Sequence, residues 1–294
     1  VDTPAAEVEI TRDLVHTLIA DQHPDLLAPL TLVAEGWDNV LFRLGDDHCI
    51  RLPRRLAAAQ LIINEQRWLP LIATFVPAPI PAPVREGRPD HGYPWSWSIV
   101  PWLDGTPAVD LPLRDRANAA AQLAEFMAAL HVPAPLEAPV NPVRGVPLAA
   151  RDGVVRERLT GELPRAAELL ALWERLMPTP PWTGPRLWLH GDPHSANLLL
   201  ARDGTLAAVI DFGDLTSGDP ATDLAAAWLV FDPQARAEFR AHYDSLTGID
   251  DDTWRRAHAW AVVFTTAFSA FSDDNPTMAA IGSHVLEQVL LDED

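Results

Sequence analysis

Alternation of apolar and polar positions dominates the first third of the chain. "LTLVAE" (30–35), "NVLFRLG" (39–45) and "HCIRLP" (48–53) read as strands, and the intervening "GWD" and "GDD" carry hairpin-type turn residues. Ahead of them, Thr11 is placed to cap a short helix running through Ile19. "LAAAQLIINEQRWL" (56–69) switches to helical spacing, with Pro70 expected to end it. Two more strands are expected near Ile80–Arg85 and Trp95–Val100. Strands, one helix, then strands predict a small antiparallel sheet with a helix packed on it.

Beyond the connector "VPWLDGTPA" the pattern turns helical. Helices are expected over Arg114–His131, Arg151–Thr160, Arg165–Leu176, Ala221–Val230, Gln234–Leu246, Thr253–Phe271 and Met278–Leu290. The Pro-rich "VPAPLEAPVNPVRGVP" between the first two reads as an extended surface loop. The expectation is an α+β chain: a small antiparallel-sheet N-terminal lobe (1–103) and a larger helical C-terminal lobe (104–294), without internal repeats.

Charge narrows the function classes. The net charge is −19, and all 22 basic residues are arginine, so no lysine is available for catalysis or phosphate binding. A duplex nucleic-acid binder needs clustered positive charge, which this balance opposes. An acidic surface suits solubility or cationic small molecules. The single cysteine, Cys49, lies in an apolar run, excluding an internal disulfide and a cysteine-based zinc site. No apolar stretch reaches the ~20 residues of a membrane span. The opening "VDTPAAEVEI" lacks the basic and apolar regions of a secretory signal, so a cytoplasmic location is expected.

The chemistry concentrates in "RLWLHGDPHSANLLL" and "LAAVIDFGD". Asp192 and Asn197 are five apart, and Asp211 lies 19 beyond Asp192. Two short strands joined by "ARDGT" would set Asn197 and Asp211 side by side at the open end of a hairpin, with Asp192 just before it. Phosphoryl transfer needs such a set: a carboxylate at the attacking hydroxyl, and hard oxygen ligands that hold Mg²⁺ against nucleotide phosphates. Protein kinases use His-Arg-Asp, four residues, Asn, and later Asp-Phe-Gly. This chain reads His190-Gly191-Asp192, four residues, Asn197, then Asp211-Phe212-Gly213. The same template calls for a basic strand residue paired with a helix Glu, for which Arg51 and Glu65 are the candidates.

On these motifs, and on "IDFGDLTSGDPATDLA", the chain resembles the aminoglycoside phosphotransferases and their macrolide and choline kinase relatives. The resemblance runs from "EGWDN" to the last helix and is strongest over 187–227. It implies a two-lobed protein-kinase-like fold and transfer of a nucleotide γ-phosphate to a hydroxyl. Asp192 resembles the catalytic aspartate, Asn197 and Asp211 the Mg²⁺ ligands, and His190 a structural loop histidine. Asp223 matches a position that braces the loop. Arg51 stands where the family usually has lysine. Gly36 and Asn39, in "EGWDN", match the hairpin that covers the phosphates. Trp102 or Leu103 would offer backbone groups to the base of ATP or GTP, since Pro101 has no N–H.

The acceptor side carries the weaker signals. Asp273 and Asp274, with Phe268 and Phe271, are candidates for a polyamine substrate, and otherwise form a solvated helix end. Trp260 and Phe264, four apart, suit packing onto the core. The expected acceptor is an aminoglycoside-like antibiotic. A macrolide 2′-hydroxyl is the alternative, or a metabolic choline, sugar or homoserine-like compound. A pseudokinase binding module and a protein kinase fit less well: the Asp192/Asn197/Asp211 set is intact, and Gly191 replaces the arginine after His190. A monomer or homodimer is expected, with no nucleic-acid or membrane partner.

Overall fold

The computed structural model describes residues 4–160, 163–270 and 274–291. Its contacts divide the chain into a unit that ends at Leu103 and a unit that begins at Asp104, with Val76–Ala78 counted with the latter.

The N-terminal unit is built on a five-stranded antiparallel sheet. Its strands are β1 (Leu30–Glu35), β2 (Asn39–Leu44), β3 (His48–Pro53), β4 (Arg85–Gly87) and β5 (Trp97–Pro101), in the order β1-β2-β3-β5-β4. Strand β2 alternates buried and half-buried positions, as its sequence pattern requires, whereas central β3 is buried nearly throughout. Helix α1 (Arg12–Gln22) begins at Thr11, whose side chain accepts from the Leu14 N–H at 3.2 Å. Val15, Leu18 and Ile19 of α1 join Phe42, Leu44, Ile50, Trp97 and Ile99 in one core. Burying each such large apolar side chain contributes roughly 1.5–3 kcal/mol. Gly87 is required beside this core, since a Cβ there would lie 1.8 Å from the Trp97 ring.

Two expectations fail in this unit. Helix α2 (Leu56–Ile72) runs past Pro70, because the ring costs one hydrogen bond in the last turn, and Ala73 N–H still reaches the Leu69 carbonyl at 2.8 Å. The strand expected over Ile80–Arg85 shrinks to β4, because Pro81 and Pro83 cannot donate to a ladder.

The C-terminal unit contains β6 (Thr106–Pro107), α3 (Leu113–Arg116), α4 (Ala120–Leu130), α5 (Asp152–Leu159), α6 (Ala166–Leu176), β7 (Leu187–Leu189), β8 (Leu198–Leu200), β9 (Leu206–Val209), β10 (Thr216–Gly218), α7 (Ala221–Leu224), α8 (Ala226–Val230), α9 (Pro233–Thr247), α10 (Asp251–Ala270) and α11 (Pro276–Leu291). The single helix expected over Arg114–His131 is interrupted at Ala117–Ala119, where Asn118 donates to the Asp203 carbonyl in the β8–β9 turn at 2.7 Å. Helix α10 spans about 30 Å. Its Trp254, Trp260, Phe264 and Phe268 are buried, and α5, α6, α7 and α11 pack along it. No helix among the described residues is long and apolar enough to cross a membrane.

Candidate active site

The expected hairpin is present. Strands β8 and β9 pair antiparallel with Leu198 opposite Val209, and Ile210 N–H reaches the Asn197 carbonyl at 2.9 Å. Asn197 and Asp211 therefore flank its open end. Asp211 adopts a left-handed backbone (φ 61°), a conformation aspartate tolerates better than most residues.

The preceding loop is held from beneath by Asp223, which is fully buried. Its carboxylate accepts from the His190 N–H at 2.7 Å and the Gly191 N–H at 2.8 Å, and His131 Nε2 lies 3.2 Å away. Asp223 thus braces the loop, the role its position implied. Gly191 has φ 90°, and a Cβ there would sit 2.3 Å from the Asp214 carbonyl oxygen. That contact explains why glycine stands where protein kinases have arginine.

Two histidines orient Asp192, and their hydrogen bonds fix their tautomers. His190 Nδ1 accepts from the Asp192 N–H at 3.2 Å, so its Nε2–H donates to the Ile210 carbonyl at 2.9 Å. His194 Nδ1 accepts from the Ala196 N–H at 3.2 Å, leaving Nε2–H for the Asp192 carboxylate at 3.3 Å. Asn197 Nδ2 donates to the Asp192 carbonyl at 2.9 Å, so its Oδ1 is the atom it would offer a cation. Burial pushes the Asp192 acid up, but His194, Arg144 and His190 outweigh it and hold the carboxyl well below the usual range.

Arg144 is the residue the sequence reading missed most plainly. Its guanidinium lies 3.5 Å from Asp192 and 3.4 Å from Asp214, with its charge 4.7 Å above the Phe264 ring. The Pro-rich loop that carries it is not a free surface segment. Asn141 N–H bonds Thr216 Oγ1 at 2.9 Å, Asn141 Nδ2 donates to Asp214 at 2.6 Å, and Gly145 N–H bonds Thr222 Oγ1 at 3.1 Å. Burial raises the Asp214 acid; Arg144 and the Asn141 bond oppose that shift, while the nearby charges of Asp192 and Asp211 reinforce it. The signal available was a lone Asn and Arg in an apolar, Pro-rich stretch.

Two further arginines belong to α5, which packs on α10: Arg151 stands at its N-cap and Arg158 in its last turn. Arg151 is 8% exposed, and its Nε is buried without a partner among the described residues. Burial, then Arg144 and Arg158, lower its proton affinity, and burial with Arg144 does the same for Arg158. Guanidinium nevertheless stays charged at neutral pH.

In the N-terminal unit, Arg51 Nη1 donates to Glu65 Oε2 at 2.7 Å, with both side chains buried. The β1–β2 turn is pinned by the next two arginines. Arg54 donates to the Gly36 carbonyl at 2.8 Å, Arg55 pairs with Asp38 at 2.5 Å, and the Gly36 N–H bonds the Asn39 carbonyl at 2.9 Å. Trp102 requires a correction. Its N–H is used by the Asp47 carbonyl at 2.7 Å and its ring lies 4.3 Å from the Arg43 guanidinium, so it has no backbone donor for a base and Leu103 remains. Cys49 is a buried hydrophobe; burial pushes its thiol up to about 11.

On the acceptor side, Trp260 and Phe264 are fully buried, 6.2 Å apart, as core packing requires. Asp274 lies exposed in the turn before α11. Asp273 and Phe271 lie outside the described residues. No group of three or more His, Cys, Asp or Glu side chains able to hold a metal ion occurs among the described residues. Asn197 and Asp211 are hard oxygen donors, and two of them fit Mg²⁺, which keeps several waters and takes other ligands from phosphates.

Comparison with known proteins supports the motif reading. A family model described as "Phosphotransferase enzyme family" matches residues 29–260. Comparison with curated protein sequences gave no match. Among solved structures, the GDP and kanamycin complex of APH(2″)-IIia superposes with a TM-score of 0.70 at 21% identity, covering 95% of this chain and 98% of that one. The macrolide 2′-phosphotransferase MphH from Brachybacterium faecium gives 0.61 at 20% identity, covering 93% and 98%. The streptomycin–ATP ternary complex of APH(2″)-IIa gives 0.61 at 16% identity, covering 97% and 99%. At these identities the likeness is one of fold, a kinase-like α+β fold with an antiparallel-sheet region followed by a helical region.

Proposed function

The chain belongs to the phosphotransferase enzyme family, and from that premise we propose that it transfers the γ-phosphate of ATP or GTP to a hydroxyl of a small molecule. The observation that carries this reading is the fixed carboxylate of Asp192, held by His194 and Arg144 beside the hairpin end that bears Asn197 and Asp211.

The acceptor oxygen forms a bond to the γ-phosphorus as the bond to the β-bridging oxygen breaks, and the electron pair leaves on the nucleoside diphosphate. The transition state is loose, so positioning and charge neutralisation dominate. Asp192, ionised beside the Arg144 guanidinium, accepts a hydrogen bond from the acceptor hydroxyl, aims its lone pair and takes its proton late. His194 prevents the carboxylate from rotating. Asn197 Oδ1 and the Asp211 carboxylate would hold Mg²⁺, which supplies charge neutralisation on the phosphate oxygens. Arg51, oriented by Glu65, would bind phosphate oxygens through its fork. Gly36 and Asn39 would line the phosphate-covering turn, and Leu103 would meet the base.

Kanamycin and streptomycin, named with two of the neighbouring structures, and the macrolide named by the third make sugar-bearing antibiotics one acceptor class. Choline, a sugar or a homoserine-like compound is the other. A nucleotide-consumption screen with ATP and GTP against both classes tests the proposal. Acceptor-dependent formation of nucleoside diphosphate with Mg²⁺ is expected. Absence of Mg²⁺–nucleotide binding would refute it.

A further inference from the structure

Five helices of the C-terminal unit meet around a cleft of about 740 Å³, within the size range of small-molecule sites. Helix α9 lines it with Pro233, Arg236, Ala237 and Arg240, and α10 with Asp251, Trp254, Arg255 and His258. Each set recurs at i, i+3, i+4 and i+7, so each is one continuous helix face. Arg175 comes from α6, Trp228 from α8 and Leu291 from the end of α11. The transfer site lies further along α10. There, Phe264 sits under the Arg144 guanidinium, and Phe268 is 5.5 Å from the His194 ring. Phe264 is ten residues beyond Trp254, a separation of about 15 Å along the helix.

The lining is dominated by one sign of charge. Among the described residues it holds four arginines and one acid, Asp251, in a chain whose net charge is −19. Its floor is fixed by the protein. Arg236, 6% exposed, donates through Nη1 to the Gln288 carbonyl at 3.1 Å and through Nη2 to Gln288 Oε1 at 3.3 Å. The same guanidinium lies 5.4 Å from the Trp228 ring, which stacks on His258 at 4.6 Å. Trp254 Nε1–H donates to Asp244 at 2.7 Å. Its rim, by contrast, is exposed at Arg175, Arg240 and Arg255. Arg240 pairs with Asp251 at 2.5 Å and Asp244 at 3.7 Å, exposed pairs that are worth little and can be exchanged for another anion. Guanidinium forks match phosphate oxygens two at a time. Pro233, Ala237 and Leu291 add an apolar wall for the body of a ligand.

We propose that this cleft is a second ligand site, apart from the transfer site, for a phosphorylated small molecule whose phosphates meet Arg175, Arg240 and Arg255. A sugar phosphate and a nucleotide share that chemistry. The site is independent of the kinase reading.

Calorimetric titration of the full chain, with Mg²⁺ and a non-hydrolysable ATP analogue saturating the transfer site, tests it. The probes are fructose 1,6-bisphosphate and adenosine 3′,5′-bisphosphate, each against its unphosphorylated counterpart. At least one bisphosphate should bind at one site per chain, and fructose and adenosine should not. The tighter of the two identifies the source. The double variant Arg175→Gln/Arg255→Gln should raise that Kd by about 10- to 100-fold, the worth of one hydrogen bond to a charged group. Arg114→Gln/Arg202→Gln removes the same charge elsewhere in this unit and should leave the Kd unchanged. All four side chains are exposed, so neither variant threatens the fold. Absence of binding by both bisphosphates overturns the proposal. A Kd that Arg175→Gln/Arg255→Gln leaves unchanged does so too, as does an equal loss in Arg114→Gln/Arg202→Gln. Asp292, Glu293 and Asp294 follow Leu291 in the sequence and lie outside the described residues. Binding that appears only in Asp292→Asn/Glu293→Gln/Asp294→Asn would assign the arginines to the chain's own acidic run and likewise overturn it. If the ATP analogue itself fails to bind, the kinase reading falls, and the same titration still decides the cleft.

Discussion

Arg256 and Arg151 are buried guanidinium groups of the same C-terminal unit, 3% and 8% exposed, with opposite surroundings. Arg256 grips Asp219 through Nε at 2.7 Å and Nη2 at 3.5 Å, and adds bonds to the Pro180 carbonyl and Thr253 Oγ1, each at 3.0 Å. Among the described residues Arg151 Nε, by contrast, is buried without a partner. The first arrangement is complete in the protein alone and ties α10 to the segment before α7. The second lies at the N-terminus of α5. Identical chemistry thus ties two elements together in one region and is left without such a bond in the other.

The largest expected effect breaks the closed half of this comparison. Arg256→Met leaves the Asp219 carboxylate buried without its partner. Burial already pushes that acid above its ordinary value, with the Arg256 bonds pulling against it. The variant should lose about 3–5 kcal/mol of stability, read from the denaturant midpoint at neutral pH. The loss should shrink as the pH falls and Asp219 takes up a proton. Arg151→Gln should move the other way, gaining about 1–3 kcal/mol. Equal losses at both positions would erase the distinction between them.

A smaller effect concerns His284 on α11. Burial, then Arg116 and Arg236, push its pKa down to about 4, and its Nε2 is buried without a partner. The unfolded chain binds this proton near pH 6.5 and the folded chain does not, so stability should fall between about pH 6.5 and 4. The contribution is on the order of 1–2 kcal/mol, allowing for partial solvent screening. His284→Gln should flatten that part of the stability–pH curve.

The legible parts of the molecule were those governed by local periodicity and fixed spacing. Strands β1 to β3 alternate or run apolar between turn residues, and "NLLLARDGTLAAVID" could bring Asn197 and Asp211 together in one way. Arg51 and Glu65 followed from strand and helix positions that the phosphate chemistry requires. Pro70 misled because one missing N–H in a last turn costs little. Pro81 and Pro83 were underweighted as ladder breakers. Arg144 was out of reach because its loop is held at Asn141 and Gly145 by Thr216 and Thr222, which lie 75 and 77 residues further along the chain. The burial of Arg151 was out of reach for a different reason: sequence spacing does not reveal whether a guanidinium meets water, a carboxylate or neither.

The division of labour between Asp192 and Asp211 is the most direct test of the whole account. Asp192→Asn keeps the shape but cannot take the acceptor proton. Measured kcat should fall by about 10²–10⁴, while the Kd for Mg²⁺–nucleotide changes little. Asp211→Asn removes a charge from the metal site, so both kcat and that Kd should suffer. If Asp192→Asn abolishes Mg²⁺–nucleotide binding while Asp211→Asn leaves it intact, the two roles are exchanged and the account fails.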